Sequence, residues 1–111
     1  MSKETYPAWY NLIKEKHGKF MDALEQLGET LRQEGPLDKK TSHLIQLATA
    51  AAIRSEGAVH SHTRRALKAG AAPEEIYHAV ILLTSTIGFP NTSAALSWVY
   101  EVIEKKKGIG V

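Results

Sequence analysis

Glycine and proline punctuate this chain at intervals that leave room for helices and little else. They fall at Pro7, Gly18, Gly28, Gly35-Pro36, Gly57, Gly70, Pro73, Gly88 and Pro90. Between them, apolar residues recur mainly at three- and four-residue spacings, and no segment alternates convincingly with period two. That pattern predicts amphipathic helices rather than strands. With 111 residues the chain has the length of one domain. No repeat and no long linker divides it. The expectation is an all-α domain spanning residues 1–111, with five or six helices.

The first helical stretch, residues 8–34, carries Trp9, Leu12, Ile13, Phe20, Leu24, Leu27 and Leu31. Gly18 is a point at which it can divide, and Gly35-Pro36 ends it. Asp38 is placed as an N-cap, because its carboxylate can accept from free amides of the next first turn. The helix it opens is expected to reach about Ser55. Its alanines at 48, 50, 51 and 52 would let another helix approach closely, which makes it the expected central helix. A shorter helix should run from about Gly57 to Ala69, with Gly70 as a left-handed stop. Pro73 then opens a helix whose first turn holds Glu74 and Glu75. This helix is apolar around most of its circumference, through Ile76, Ala79, Val80, Ile81, Leu82, Leu83 and Ile87. A domain this small cannot cover all of that surface, so a subunit interface is expected there. Pro90 opens a last helix to about Lys106.

Composition excludes several classes of function. The apolar fraction of 43% and charged fraction of 23% are those of an ordinary soluble protein. A formal net charge of +2 does not argue for nucleic acid, and basic residues alternate with acids except at Lys105-Lys106-Lys107. The N-terminus lacks the apolar segment of a signal peptide. The longest strongly apolar run, residues 79–83, is far too short to cross a bilayer. A cytoplasmic protein without nucleic-acid or membrane partners is expected. There is no cysteine, so disulfides, thiolate metal ligands and thiol catalysis are unavailable.

Three pieces of the chain resemble the carboxymuconolactone decarboxylase and alkylhydroperoxidase D superfamily. One is the stretch from Gly35-Pro36-Leu37-Asp38-Lys39-Lys40-Thr41 through Ala48, similar to the family's start of its central helix. A second is His62-Thr63-Arg64-Arg65 through Ala69-Gly70-Ala71-Ala72-Pro73 to Ile76. The third is Gly88-Phe89-Pro90. Tyr6-Pro7 fits the same pattern less distinctively. The resemblance implies an alkylhydroperoxidase D-like helical fold that assembles as a homo-oligomer, a trimer or hexamer. It places active sites between packed helices, near the family histidine. That histidine falls on His62. The two cysteines of the redox branch would fall on Ser55 and Ala58, and the glutamate of the central helix on His43. A methyl group cannot attack a peroxide, and a hydroxyl without a resolving partner does not replace a thiol. The decarboxylase branch acts on a lactone acid without redox cysteines, although the arginine expected before the glutamate position is Ser42 here.

Under this alignment His43 and His62 meet from two helices. Two imidazoles can act as acid and base near neutral pH. Arg54, Arg64 and Arg65 are candidate carboxylate contacts, with Arg65 or Arg64 preferred, since a guanidinium grips a carboxylate with two parallel hydrogen bonds. Tyr77 is a further candidate binding residue beside the expected interface. The plainer alternative has His62 as a partly buried core residue and His43 as an exposed first-turn residue. His60 and His62 are two apart on a helix and point to nearly opposite sides, so they should not share an ion. No metal and no cofactor is assigned. The expected function is a carboxymuconolactone decarboxylase-like lyase or isomerase acting on a small carboxylate. The rivals are a catalytically inactive binding module and a histidine-based metal protein.

Overall fold

In the computed structural model, which describes residues 8–106, the elements are helices and no strand occurs among the described residues. Tyr6-Pro7 and the end of the lysine run at Lys107 lie outside them. Six helices have nine residues or more: α1 (Ala8–Lys16), α2 (Gly18–Gln33), α3 (Lys39–Ala52), α4 (Glu56–Lys68), α5 (Pro73–Ile81) and α7 (Phe89–Lys106). A single turn, α6 (Thr84–Ile87), separates the last two. The chain forms two compact units, divided between Leu37 and Asp38.

In the first unit the expected break falls at His17-Gly18, so α1 and α2 form a helix pair. Tyr10 donates from its hydroxyl to Glu25, and Lys14 pairs with the same carboxylate at 3.1 Å. Phe20, Leu24, Leu27 and Leu31 lie four, three and four residues apart and are each about half exposed or more. They form one apolar stripe along α2.

In the second unit the core is built from Leu47, Ala50 and Ala51 of α3, Val59 and Ala66 of α4, Ile76 and Val80 of α5, and Ala95, Val99 and Ile103 of α7. Ala71 completes it from the α4–α5 turn. Small residues on α3, α4 and α7 let backbones come close, so the core is filled with few large side chains. The α3 helix packs on α4, α5 and α7 and buries His43, Leu47, Ala50 and Ala51, and it shares the centre of the unit with α7. The helix that packs against α3, α4, α5 and α6 is α7. It also contributes Thr92 and Glu104 to the buried set. Thr63 and Thr92 are buried with hydroxyls that have no hydrogen-bond partner among the described residues.

Asp38 caps α3 as expected, its carboxylate accepting from the Thr41 amide at 2.8 Å. Hydrogen bonds from Thr41, side chain first and then backbone, hold the Asp38 carboxyl below its ordinary value. The helix stops at Ala52, three residues short of the expected end, because Arg54 turns left-handed at φ 60°. The Ser55 amide then donates to Ala50 O at 2.9 Å and the Arg54 amide to Ala51 O at 3.1 Å. This is a Schellman closure. The same closure ends α4. There Gly70 has φ 102°, the Ala71 amide donates to Ala66 O at 2.9 Å, and the Gly70 amide donates to Leu67 O at 3.0 Å.

The helix opened by Pro73 also stops early, at Ile81 rather than continuing to Ile87. Thr84 Oγ1 donates to the Ile81 carbonyl at 2.7 Å, and Thr86 N donates to Leu83 O at 2.8 Å. Hydroxyls that bond nearby carbonyls compete with the helical ladder, and here they accompany the break. At the start of α5, Glu75 accepts from the Ala72 amide at 2.9 Å and pairs with Lys40 at 3.1 Å.

Two equivalent closures, one built on glycine and one on arginine, give opposite expectations. A Cβ at residue 70 meets nothing within 4 Å, so Gly70→Ala should cost only the left-handed backbone term, about 1 kcal/mol. Arg54→Gly should instead stabilise, by up to about 1 kcal/mol. Urea melts of both variants check the two signs. Asp38→Ala should lower stability at neutral pH, while Asp38→Asn should retain most of it. Because the folded carboxyl is held low, its contribution is present above the ordinary carboxylate range and is lost as pH falls through the folded value. The difference between wild type and Asp38→Ala should therefore shrink in acid, measured by urea melts across pH.

Candidate functional site

The turn at residues 53–55 reverses the chain so that α4 packs along α3. This packing brings one imidazole from each helix together. His43 lies in the second turn of α3 and is buried, at 4% exposure; His62 lies mid-way along α4 and is half-buried. Their Nδ1 atoms are 3.4 Å apart, with ring centroids 5.6 Å apart and planes tilted by 38°. The alternative of an exposed first-turn His43 is therefore not what the fold produces.

Facing ring nitrogens constrain the proton inventory. Only one of the two Nδ1 atoms can carry hydrogen in a favourable contact; two N–H groups would oppose each other. In the neutral pair, the ring with Nδ1–H has a lone pair on Nε2, and the other ring has Nε2–H. One imidazole is thus a base and its neighbour a donor. The 3.4 Å separation is longer than the common hydrogen-bond range.

The other expected site residues divide between two places. Arg65 follows His62 by three residues and shares its face of α4, whereas Arg64 follows by two and lies toward another side. Both are half-buried. Tyr77 belongs elsewhere. It lines an open cavity of about 450 Å³ with Ile81, Leu96, Ser97, Tyr100 and Glu101, of which neither His43 nor His62 is a lining residue. Its hydroxyl donates to Glu104 Oε2 at 3.4 Å, and its ring lies 6.5 Å from that of Tyr100. Burial, and next the charge of Glu104, push the Tyr77 phenol upward from its ordinary value, which keeps it a donor.

The positions that align with the family's redox cysteines hold Ser55 at the N-cap of α4 and Ala58 in its first turns, packed on the core. His60 and His62 do face apart. His60 Nε2 meets Glu101 Oε1 at 3.0 Å, while His62 meets His43. Sequence reading missed Glu104 and Glu101, because a glutamate on a long helix signals nothing until its neighbours are known. The spacing of Glu56 and His60, four apart on one helix, was the one local signal available.

Comparison with known proteins agrees with this architecture. The carboxymuconolactone decarboxylase family matches residues 18–101. The chain is similar to an uncharacterized protein of Methanocaldococcus jannaschii, 28% identical over 91 residues that cover 82% of this chain and 85% of that protein. Its fold is similar to the crystal structure of a carboxymuconolactone decarboxylase family protein from Legionella pneumophila. That match has a TM-score of 0.72 and 25% identity, and covers 87% of this chain and 86% of the other. With an all-α fold and a family match over most of its length, the chain belongs to the carboxymuconolactone decarboxylase family.

Proposed function

We propose that this protein is a small-molecule lyase or isomerase that moves protons with the His43–His62 pair. The observation that carries this reading is the pair itself: two imidazoles from separate helices, nitrogen to nitrogen at 3.4 Å. His62, the less buried of the two, acts on the substrate as acid or base. His43, 4% exposed, is its partner, taking or returning the proton through the shared Nδ1 contact. Arg65, on the His62 face of α4, holds a carboxylate of the substrate, and is preferred to Arg64, which lies toward another side of the helix. Decarboxylation of a small acid and a proton shift next to a carboxylate both need those groups and no bound cofactor. With Ser55 and Ala58 at the redox positions, the protein does not act as a CxxC peroxidase.

The same reading makes it a cytoplasmic homo-oligomer, a trimer or hexamer. Support comes from apolar surface that a single chain leaves open: the α2 stripe in the first unit, and in the second Ile53, Ile81, Leu82 and Phe89, each at least half exposed. Contiguous apolar patches mark association surfaces. Among the described residues, no helix is long and apolar enough to cross a membrane.

Two experiments test these statements. Small mono- and dicarboxylates are incubated with the protein in deuterated water, and proton exchange or loss of carbon dioxide is followed by NMR. Turnover of a substrate found in this way should fall by roughly 10²–10⁴-fold in His62→Ala, and unchanged turnover would remove the pair from the mechanism. If no carboxylate turns over but several raise the melting temperature, the protein is a binding module. For assembly, Leu82→Glu should shift the molar mass by light scattering to a smaller species while helix content is kept. An unchanged mass would place the interface elsewhere.

A further inference from the structure

On the side of α4 away from the histidine pair, a second group of side chains converges. Glu56 and His60 lie four apart on α4, so one turn of helix stacks them on the same face. Glu101 reaches them from α7. His60 Nε2 is 3.0 Å from Glu101 Oε1 and 4.0 Å from Glu56 Oε2, and one donor atom of each residue lies within 4.8 Å of the others. We propose that Glu56, His60 and Glu101 form a binding site for a first-row divalent cation, zinc the best match.

Three features favour an ion over a simple ion pair. The first is spacing. Zinc bonds to imidazole nitrogen and carboxylate oxygen are about 2.0–2.2 Å, so tetrahedral donors lie about 3.4 Å apart. The His60–Glu101 and His60–Glu56 distances of 3.0 and 4.0 Å bracket that value, and Glu56 is an exposed side chain. The second is charge. Three other glutamates have lysine or arginine as partner: Glu25 with Lys14, Glu29 with Arg32, and Glu75 with Lys40. Glu56 and Glu101 share a single imidazole, and no lysine or arginine pairs with either among the described residues. Two carboxylates against one imidazole leave uncompensated negative charge that a divalent ion neutralises. The third is access. Glu101 also lines the apolar cavity with Tyr77, Ile81, Leu96, Ser97 and Tyr100. An ion held by three protein ligands keeps a coordination position open, and here a neighbouring cavity could seat the body of a ligand. One nitrogen and two oxygen donors suit zinc better than calcium, which takes oxygen.

Tag-free protein, stripped with chelator and dialysed, is titrated with zinc chloride by calorimetry and then with cobalt(II), whose visible absorption reports coordination geometry. One equivalent per chain is expected. His60→Ala and, separately, Glu101→Gln should each weaken binding by roughly tenfold or more, with helix content unchanged by circular dichroism. The double variant His43→Ala/His62→Ala should bind zinc as the wild type does. That arm separates this site from the proposed catalytic pair, because failure of one leaves the other standing. Absence of zinc binding in the folded wild type would overturn the site and leave an ordinary ion pair between α4 and α7. So would binding that survives His60→Ala and disappears in the double variant.

Discussion

The close packing of α3 against α4 is the contact on which the rest of the second unit depends. It is made possible by alanine on α3 and by the turn that reverses the chain at residues 53–55. Alanine lets helix axes approach, so the short side chains of Ala50, Ala51 and Ala66 suffice to close the core around Leu47 and Val59. The Schellman closure satisfies the last carbonyls of α3 and aims the chain into α4. Arg54 occupies the left-handed position of that closure. A bulky residue in that conformation is held by the surrounding hydrogen bonds and not by its own preference.

From that packing follows the division of α4 into two faces with different partners. One turns His62 toward His43, the other turns His60 toward Glu101 of α7. A helix separates side chains two apart by roughly half a circle, so a His-Ser-His triplet cannot serve one site. In this protein its two histidines make separate contacts. Ser55 and Ala58, where the resemblance would place the redox cysteines, lie at the start of the same helix, where a helix N-terminus would have helped a thiol to ionise. With a hydroxyl and a methyl there, that local field has no thiol to act on, and the histidines hold the titratable chemistry of the α3–α4 contact.

Much of the architecture was legible in the chain. Asp38, Gly70 and Pro73 act through the first and last turns of helices, where the physics is local: a carboxylate on a free amide, a backbone without Cβ at positive φ, a ring that fixes φ at a helix start. Gly18 marked a real break for a similar reason. The early ends of α3 and α5 were not legible. Arg54 gives no sign of a left-handed turn, and Thr84 gains its role only when its hydroxyl finds the Ile81 carbonyl. That α7 would share the centre with α3 was also hidden, because it depends on four partners and its own pattern resembles that of any amphipathic helix.

Sequence by itself determined that this chain is helical, roughly where its helices begin, and that it has no thiol to use. Each of those follows from single residues and short spacings, which act over a turn or less. Tertiary structure alone decided what His60 faces. The meeting of His43 with His62, which the family resemblance implied, is realised by the packing of α3 on α4, whereas His60 meets Glu101, 41 residues away in the chain, only because α7 passes there. Tyr77, expected beside a subunit interface, meets Glu104 and lines an open cavity that neither His43 nor His62 lines. Such pairings depend on how rigid helices stack, and nothing in the local sequence carries that information.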